Sequence, residues 1–382
     1  MRLALVTETF PPEVNGVSMT LGRLCEGLAK RGWSLLVVRP VQEHEEVDAV
    51  SPPQPFEEFV VAGVPLPGYS SLRMGEPAGF SLHRMWKENR PDIVHIATEG
   101  PLGVAALIAA KLLRIPVSST FHTNFDQYSD HYSVGGVQRL MSAYLRRIHN
   151  FCACTLAPTQ QMADALASEG YLNTGVLSRG VDTELFSPEK RDAALRKSWE
   201  IPEGGRAIVY VGRIAKEKNI DLVVRAYQAM ARQNPGDRLV LVGGGPELER
   251  LKRKYPHIHY AGMRKGDDLA RHYASGDIFL FASVTETFGN VVTEAMASGL
   301  SVCTYDYAVG REYVKPNENG FLAAFDDPDD FVEKAVALGE CSDEELRLIG
   351  SAARKTAEGI SWDAVVESFQ SSLREVVDRT RG

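Results

Sequence analysis

The chain has 382 residues, of which 44% are hydrophobic and 24% are charged. This composition is typical of a globular protein and argues against a disordered, collagen-like or coiled-coil chain, and the length predicts two domains. The formal net charge of −8 argues against a nucleic-acid-binding protein, because nucleic-acid phosphates are bound by basic surfaces.

Apolar, β-branched runs alternate with helical patterns along the first half of the chain. Strands are predicted at 3–6, 34–39, 92–96, 117–121, 154–157 and 174–177, and helices at about 18–31, at 102–113 and after residue 159. This alternation is typical of parallel βαβ units in a doubly wound sheet.

The same alternation begins again beyond residue 180. Strands are predicted at 207–211, 238–242, 257–260, 278–282 and 301–304, and helices at 221–233, 247–254, 267–274, 291–298 and 329–338. A last helix, at about 362–379, has no strand after it and could cover either half. The sequence therefore predicts an α/β protein of two Rossmann-type halves, which bind ligands at the carboxyl ends of their strands.

The cysteines and the apolar runs bear on the cellular compartment. Five cysteines are an odd number, and none of them form a C-x-x-C pair, which favours a reducing environment. The first apolar run ends at Thr7 and is too short for a signal peptide, and the longest, Leu102–Ala110, is too short to span a membrane. We therefore expect a soluble, cytoplasmic protein.

The strongest motif runs from Glu286 to Glu294, two glutamates separated by seven residues directly after a predicted strand. Gly289 between them would let a ligand approach the backbone, and the amides that follow would point toward an anion. Carboxylates so placed can bind sugar hydroxyls while the amides hold a phosphate. The alternative interpretation is that the glutamates only complement the helix dipole.

A basic turn at 212–219 follows the predicted strand 207–211. Its Arg213 and Lys218 could clamp a diphosphate, because a guanidinium contacts two oxygens at once while an ammonium acts as a point charge. The alternative is a solvated basic turn, in which Lys216 is a bystander.

Three weaker signals lie in the first half. The turn at 11–17 puts Asn15 and Gly16 beside a helix start, where an anion could bind. His122 belongs to a polar cluster at 120–128 that follows a strand, and it is interpreted as a binding or a structural histidine. His95, inside a strand, is expected in the core. Neither a dinucleotide-binding nor a P-loop motif occurs, which argues against an NAD enzyme or a P-loop ATPase.

Together these motifs resemble the retaining nucleotide-sugar glycosyltransferases of family 4, which have the GT-B fold. The resemblance covers nearly the whole chain, including 179–186 and the last helix. It implies two Rossmann-like domains facing across a cleft, an acceptor domain at 1–180 and a donor domain at 181–360. In that family the last helix, here 361–382, crosses back onto the N-terminal domain.

The resemblance also implies roles for individual residues. Arg213 and Lys218 would hold the donor diphosphate and stabilise the leaving group, and they would be catalytic in the electrostatic sense. Glu294 would bind the ribose, Glu286 the transferred sugar, and His122 the sugar near its O6. The remaining positions implied at the substrates are Asn15, Gly16, Gly243, Met263, Arg264, Phe288, Gly289, Asn290 and Val291.

The mechanism implied by the resemblance needs no metal, no cofactor and no catalytic base. A donor phosphate oxygen takes the proton of the acceptor, and the anomeric configuration is retained. Asp327-Pro328-Asp329 matches the D-x-D metal signature of the unrelated GT-A transferases. It lies just before a predicted helix, however, so we interpret it as a capping turn.

Within the family, 121–125 and 285–289 look closest to bacterial mannosyl- and glycolipid-forming transferases. GDP-mannose is therefore the preferred donor and UDP-glucose or UDP-glucuronate the alternative, with a lipid or glycan as acceptor. The alternative from another functional class is a non-catalytic protein that binds nucleotide sugars.

A basic amphipathic helix is predicted at 137–151. Its apolar positions are Val137, Leu140, Met141, Tyr144, Leu145 and Ile148, and its arginines are Arg139, Arg146 and Arg147. The pattern predicts either peripheral contact with an anionic membrane or a helix whose apolar side faces the core while its arginines are solvated.

Overall fold

A computed structural model describes residues 1–13, 15–41, 55–66, 69–122, 135–286 and 288–381. The chain divides into two compact units. The first comprises Met1–Arg179 with Trp362–Gly382, and the second comprises Gly180–Ser361. Each unit is built on a parallel sheet.

The first unit contains a seven-stranded sheet and a hairpin. The strands are β1 (Arg2–Val6), β2 (Ser34–Pro40), β3 (Glu57–Val61), β4 (Gly63–Leu66), β5 (Tyr69–Gly75), β6 (Ile93–Ile96), β7 (Val117–Thr120), β8 (Cys154–Ala157) and β9 (Thr174–Val176). The sheet order is β3-β2-β1-β6-β7-β8-β9 and every neighbouring pair is parallel, whereas β4 and β5 pair with each other antiparallel.

Helices cover both faces of this sheet. They are α1 (Gly16–Lys30), α2 (Gly79–Glu88), α3 (Pro101–Leu112), α4 (Gly135–Asn150) and α5 (Gln160–Ser168). Alternate residues of β1 enter different cores: Leu3 and Leu5 pack on one face of the sheet, and Ala4 and Val6 pack on the other. A parallel strand buried on both faces is expected to be apolar throughout, as β1 is.

The second unit repeats the architecture with six strands. They are β10 (Ala207–Val211), β11 (Arg238–Val242), β12 (His259–Gly262), β13 (Ile278–Phe281), β14 (Ser301–Tyr305) and β15 (Gly320–Ala323). All pairs are parallel in the order β12-β11-β10-β13-β14-β15, which is the strand order of a Rossmann sheet.

The helices of the second unit lie between and after these strands. They are α6 (Ala193–Ser198), α7 (Ile220–Ala231), α8 (Leu248–Lys254), α9 (Gly266–Ala274), α10 (Asn290–Ala297), α11 (Val309–Tyr313), α12 (Pro328–Glu340) and α13 (Asp343–Glu358). The predicted α/β fold with two Rossmann-type sheets is confirmed.

The last helix, α14 (Trp362–Arg381), returns to the first unit. Phe369 packs edge-on against His95 with ring centroids 4.9 Å apart. Arg31, just after α1, donates to the Asp363 carboxylate at 3.2 Å. The helix therefore covers one face of the first sheet, which is the return crossing that the family resemblance implies.

Candidate functional site in the second unit

The loops that follow β10, β11 and β13 gather most of the predicted site residues of the second unit. These strands are neighbours in a parallel sheet, so their carboxyl ends lie side by side at one edge. The loop after β10 carries Arg213 and Lys218, and the loop after β13 carries Glu286. We call these loops, together with the start of α10, the carboxyl-edge site.

The loops after β10 and β11 are joined backbone to backbone. The Gly212 amide donates to Val242 O at 3.0 Å, and the Ile214 amide donates to Gly244 O at 2.9 Å. A Cβ atom on Gly243 would lie 1.9 Å from Gly212 O, so only glycine allows this approach. Gly243 thus has a structural reason to be glycine, and its contact with a substrate stays a prediction.

Lys218 and Glu286 meet at the centre of the carboxyl-edge site. The Lys218 ammonium pairs with the Glu286 carboxylate and also contacts Ser283 Oγ at 3.3 Å. Both side chains are largely buried, with 16% and 17% of their surfaces exposed. The structure therefore brings together two residues that lie far apart in the sequence and that were predicted for one ligand.

Arg213 lies on the same basic turn but extends outward. Its side chain is 66% exposed and contacts Glu217 at 3.6 Å. An ion pair this long and this exposed contributes little to stability. The guanidinium is consequently available to an anionic ligand at little cost to the fold.

The segment after Glu286 turns into α10 through a left-handed residue. Gly289 has φ +101°, a conformation that a residue with a side chain rarely adopts, and Asn290 begins the helix. The amides of Asn290 and Val291 belong to the first turn, where backbone N–H groups lack partners within the helix. Phe288 is buried in the core, so it could contact a ligand only through its backbone.

Two buried polar atoms flank this turn without a partner among the described residues. They are Thr285 Oγ1 and Asn290 Oδ1. Buried polar groups are normally hydrogen-bonded, and the exceptions in a native fold point to a ligand or an ordered water. Their position on either side of Glu286 is the one expected for a polar ligand at this turn.

Glu294 lies one turn further along α10 and bonds a buried tyrosine. Tyr273 donates its hydroxyl hydrogen to Glu294 Oε2 at 2.8 Å. Burial raises the pKa of Glu294 to about 7, and the hydrogen bond from Tyr273 acts in the opposite direction. The carboxyl group is therefore close to its titration midpoint at neutral pH.

Three tyrosine hydroxyls donate hydrogen bonds to groups of the carboxyl-edge site, and no role for two of them, Tyr210 and Tyr273, is predicted from the sequence. Besides Tyr273, Tyr210 donates to the Arg213 carbonyl and Tyr307 to the Glu286 carbonyl, both at 2.9 Å. Tyr210 lies in the apolar strand β10, and Tyr273 lies near the end of α9, whose sequence is mainly polar; both side chains are buried. The available signal is that a buried tyrosine normally needs a partner for its hydroxyl.

Met263 and Arg264, which were predicted to frame the nucleobase, follow β12. The Met263 side chain is 68% exposed. The Arg264 guanidinium folds back on its own loop, donating to Ala261 O at 2.7 and 2.9 Å and to Asp268 at 3.1 Å. The side chain of Arg264 is thus used to shape the loop, which leaves the backbone for any contact with a base.

Predicted residues in the first unit

In the first unit, Asn15 caps α1. Its Oδ1 accepts from the amides of Val17 and Ser18 at 3.0 and 2.8 Å, and its Nδ2 donates to Thr9 Oγ1 and Glu13 Oε1 at 2.7 and 2.6 Å. These bonds use the side-chain amide inside the protein. A direct contact of Asn15 with a substrate stays a prediction.

Gly16 begins α1 and lies against Arg179, the last residue of the unit's first segment. A Cβ on residue 16 would lie 3.0 Å from Arg179 Nη1, so glycine leaves room for the guanidinium. Arg179 is buried and also affects His122 electrostatically. No charged partner for this helix start is predicted from the sequence, so the buried Arg179 is a group that sequence reasoning misses.

His122 follows β7, and neither of its ring nitrogens has a hydrogen-bond partner among the described residues. Burial, with a smaller effect of Arg179, lowers the pKa of His122 to about 3, so the ring is neutral. The rest of its polar cluster, residues 123–128, lies outside the described residues. His95 is fully buried and bonded to Ser118 Oγ at 2.9 Å, which confirms the interpretation of His95 as a core histidine.

The D-x-D sequence caps a helix. Asp327 Oδ1 accepts from the amides of Asp329 and Asp330, both at 3.1 Å, and Pro328 begins α12. Asp329 pairs with Arg225 at 2.5 Å. The interpretation as a capping turn is confirmed, and no group of three or more His, Cys, Asp or Glu side chains suited to a metal ion occurs within the described part of the chain.

Comparison with known proteins

Family models match both units of the chain. Residues 14–185 match the model described as Glycosyltransferase Family 4, and residues 192–356 match Glycosyl transferases group 1. A GDP-mannose-dependent alpha-mannosyltransferase of Mycobacterium tuberculosis is 32% identical over 99% of this chain and 98% of its own. The chain belongs to the family 4 glycosyltransferases. The predicted family and the prediction of a hexose-transferring enzyme are confirmed.

Other glycosyltransferases are similar over most of the chain. A GDP-mannose-dependent alpha-mannosyltransferase of Corynebacterium glutamicum is 33% identical over 99% of this chain and 89% of its own. A sulfoquinovosyl transferase of Arabidopsis thaliana is 30% identical over 97% of this chain and 72% of its own. These relatives differ in the sugar that their names specify.

Solved structures support the fold. A sucrose-phosphate synthase from Thermosynechococcus elongatus has a TM-score of 0.75 at 18% identity, covering 99% of both chains. The HepE protein of Anabaena, solved in complex with UDP, has a TM-score of 0.76 at 18% identity, covering 98% of this chain and 100% of its own. The GT-B fold is therefore confirmed for this glycosyltransferase. Among the helices that the structure describes, none combines the length and the apolar character needed to cross a membrane.

Proposed function

We propose that the enzyme transfers mannose from GDP-mannose to a lipid or glycan acceptor, with retention of the anomeric configuration. Support for the donor comes from three relatives named GDP-mannose-dependent alpha-mannosyltransferase, which are 31–33% identical to nearly the whole chain. Support for the chemistry comes from the carboxyl-edge site of the second unit.

The observation that carries the proposal is the Lys218–Glu286 pair beside the exposed Arg213. A diphosphate with two or more negative charges competes with a single carboxylate for the lysine, and Arg213 adds a second cation. Once its lysine is shared, the Glu286 carboxylate accepts hydrogen bonds from hydroxyls of the transferred sugar. The pair therefore changes partners when the donor binds: Lys218 gains the diphosphate and Glu286 gains the sugar.

The start of α10 completes donor binding. Amides of its first turn donate to a phosphate oxygen, as helix N-termini do for many anions. Glu294, one turn along the helix, accepts from the ribose hydroxyls. Met263 and the backbone around Arg264 and Gly243 border the base.

In this proposal, catalysis results from electrostatic stabilisation of the leaving group by cationic side chains. As the sugar leaves, negative charge accumulates on the diphosphate, and Arg213 and Lys218 stabilise it more strongly than they stabilise the intact donor. A phosphate oxygen on the same side of the sugar accepts the acceptor proton. The hydroxyl oxygen of the acceptor forms the new bond to the anomeric carbon, and the bond to the phosphate oxygen breaks. We propose that no metal or cofactor takes part.

Residues of the first unit contribute to substrate binding in this proposal. A neutral His122 offers one N–H donor and one acceptor, which suits a sugar hydroxyl near O6. Gly16, which keeps room for the Arg179 guanidinium at the start of α1, approaches the donor phosphate. Asn15 acts by holding the helix start in position.

The test of the proposed function is a comparison of donors. A ligand that binds only the folded protein raises its melting temperature, so GDP-mannose, GDP-glucose, UDP-glucose and UDP-glucuronate are compared at equal concentration. We expect the GDP compounds to give the larger rise and GDP-mannose to be consumed, with release of GDP, when a lipid or glycan acceptor is supplied. A rise in melting temperature with the uridine donors alone contradicts the assignment of GDP-mannose as donor but is consistent with a glycosyl-transfer reaction. Binding without release of nucleoside diphosphate, across a broad acceptor panel, favours the non-catalytic alternative. The configuration of the product, read by NMR, tests retention.

We further propose that α4 rests on an anionic lipid surface. Leu145 and Ile148 of this helix are buried, whereas Leu140, Met141 and Tyr144 are 73%, 43% and 44% exposed. The predicted apolar stripe is therefore divided between core and surface. Arg147, three residues after Tyr144, lies over the Phe151 ring at 5.9 Å and is the basic residue beside the exposed group, whereas Arg146 donates to Glu169 O at 2.9 Å.

Co-sedimentation with vesicles tests the membrane proposal. We expect the protein to bind vesicles that contain anionic phospholipid and to bind neutral vesicles more weakly. The double variant Leu140→Gln/Met141→Gln should lose most of this binding. Leu348→Gln, which changes a 65% exposed leucine of the second unit, is the matched control. Equal binding by the double variant and the control contradicts the proposal and leaves the donor assignment unaffected.

A further inference from the structure

Tyr273 is a fully buried residue at the end of α9 whose only polar side-chain atom meets the carboxyl-edge site. Its ring packs against Phe186 and Phe279, with centroids 5.5 and 5.9 Å away. Its hydroxyl bonds Glu294 Oε2 at 2.8 Å. The ring is thus held by the core of the unit, and the hydroxyl is a rigid donor to a side chain that would otherwise choose among several rotamers.

We propose that Tyr273 is a positioning residue for nucleotide binding, which holds one carboxylate oxygen of Glu294 so that the carboxylate is oriented to accept the ribose hydroxyls. This inference rests on the proposed function, in which Glu294 binds the ribose. A carboxylate has about four acceptor positions, so a single bond from Tyr273 leaves capacity for two hydroxyls. Orientation before binding reduces the entropy lost when the donor arrives.

The hydroxyl also affects the charge of the glutamate. A hydrogen bond donated to a carboxylate favours the ionised form, whereas burial favours the protonated form. Both effects are present at Glu294, with burial the larger. Loss of the Tyr273 hydroxyl therefore raises the pKa of Glu294 further. At neutral pH a larger share of the protein would then carry a protonated Glu294, which offers one acceptor fewer to the ribose.

Other charged or titratable groups on the elements packed against α10 have partners of their own. Arg354 of α13 donates to Ala297 O at the far end of α10 (2.7 Å), Arg311 of α11 pairs with Asp306 (3.0 Å), and His272 of α9 bonds Asp268 O (2.7 Å). Cys303 of β14 is buried, and burial raises the pKa of its thiol. Tyr210 of β10 interacts electrostatically with Tyr273. Among the described side chains, the Tyr273 hydroxyl is therefore the one seen to bond the Glu294 carboxylate, and removing this single oxygen atom shifts the balance between protonated and ionised Glu294.

The test compares Tyr273→Phe with a control that removes the same atom elsewhere. Tyr227 is also a buried tyrosine of the second unit, and its hydroxyl donates to Asp237 O at 3.2 Å, just before β11 and thus at the opposite edge of the sheet. Tyr227→Phe is expected to lower the melting temperature without changing donor binding. Tyr273→Phe is expected to raise the KM for GDP-mannose about 10-fold, the size expected for a hydrogen bond to a charged group, with little change in kcat.

Two further readouts separate positioning from a merely structural role. The pH at which GDP affinity falls to half of its alkaline value should move upward in Tyr273→Phe and stay in place in Tyr227→Phe. In a Glu294→Gln background, Tyr273→Phe should add little, because both changes act on one contact. An unchanged KM and an unchanged pH midpoint in Tyr273→Phe, beside impaired Glu294→Gln, overturn this inference alone. Normal donor affinity in Glu294→Gln overturns the ribose assignment and this inference with it.

Discussion

The two edges of the second unit's sheet both carry cationic side chains, but they use them differently. At the amino edge, where the strands begin, a cavity of about 660 Å³ is bordered by five arginines, Arg191, Arg196, Arg206, Arg347 and Arg354. Four of them have protein partners: Arg354 donates to three backbone carbonyls, Arg206 donates to two, and Arg191 and Arg196 share the Asp277 carboxylate at 2.6 and 2.8 Å. At the carboxyl edge, Arg213 is 66% exposed, and Lys218 contacts two side chains, Glu286 and Ser283.

The difference lies in what a ligand would have to displace. When a guanidinium moves away from a buried carbonyl, the carbonyl oxygen is left buried without a hydrogen-bond donor, which costs about 1–3 kcal/mol for each group. A lysine that leaves a glutamate for a diphosphate exchanges one anion for another of higher charge. Cavity size and the number of arginines therefore favour the amino edge, whereas the availability of the charges favours the carboxyl edge, and we assign the donor site to the carboxyl edge for that reason.

The largest expected effect is the loss of turnover in Lys218→Ala. Removal of one group that stabilises developing charge lowers kcat by about 10²–10³. The protein should still fold, with a lower melting temperature, because Glu286 loses the partner of a largely buried ion pair. Steady-state kinetics with GDP-mannose, together with the melting temperature, measure both quantities.

Lys216→Ala is the matched control, since Lys216 lies on the same turn and is exposed. Its kcat should stay within about twofold of the parent enzyme, as expected for a side chain that does not touch the reacting atoms. Equal losses in the two variants, or a fully active Lys218→Ala, would break the distinction between the two edges.

A change at the amino edge should give the opposite pattern. Asp277 accepts from Arg191, from Arg196 and from the Ala207 amide at 2.7 Å. Asp277→Asn removes the charge that these groups share, and we expect the free energy of unfolding to fall by about 2 kcal/mol, somewhat less than for a fully buried pair. Urea unfolding measures this loss.

The kinetic constants of Asp277→Asn are the critical comparison. They should remain within about twofold of the parent at a temperature where the variant is folded. A large loss of kcat with unchanged stability would place function at the amino edge and would contradict our assignment.

The two parallel α/β sheets could be anticipated because the strands of both cores are short apolar runs separated by helical patterns. Strands β10 and β11 have the predicted bounds, and β1 begins one residue before its predicted start. The strands that are not predicted lie at edges or in an insertion: β3, with Glu57 and Glu58 exposed, β15, and the hairpin of β4 and β5. The helices α2, α11 and α13 are not predicted either. Edge strands are partly solvated and carry mixed side chains, so periodicity identifies them poorly.

The candidate site likewise contains features that could be predicted from the sequence and features that could not. Arg213, Lys218 and the two glutamates could be predicted because they stand at fixed positions after strands, where a parallel sheet collects ligands. The pairing of Lys218 with Glu286, the Tyr273 bond to Glu294 and the Arg179 contact at Gly16 could not. They depend on which side chains meet in space, and residues so far apart leave no local pattern in one sequence.

The pH dependence of the carboxyl edge should invert when the donor binds. The pKa of Glu294 is about 7 in the folded protein, against an ordinary value of 4.5, so between these values the folded protein holds a proton that the unfolded chain has lost. Without a donor, stability should therefore fall as the pH rises through this window. Because the ribose requires the carboxylate, donor affinity should rise about tenfold between pH 6 and pH 8.

Melting temperatures from pH 4.5 to about pH 8, with and without GDP, measure both trends. Glu294→Gln has no titrating carboxyl group at position 294. The melting temperature of this variant should therefore change less with pH, both without GDP and with GDP bound. If the bound and the free parent protein followed the same curve, Glu294 would not be linked to the donor.

The smallest expected effect concerns Asp327, which lies in a loop at the carboxyl edge. Like the charged side chains of the amino edge, it is hydrogen-bonded within the protein. Asp327 Oδ1 accepts two backbone amides at the start of α12, so its bonding capacity is directed to the fold. Asp327→Ala should lower the free energy of unfolding by about 1 kcal/mol, the usual cost of a lost N-cap, and Asp327→Ser should restore most of it. Chelation by EDTA should change the rate of neither the parent nor the variants. The contrary result would be a loss of activity in Asp327→Ala that added metal rescues and that Asp327→Ser does not repair. It would identify the D-x-D sequence as a metal-ligand site. It would also show that hydrogen bonding to the backbone does not by itself distinguish structural carboxylates from functional ones.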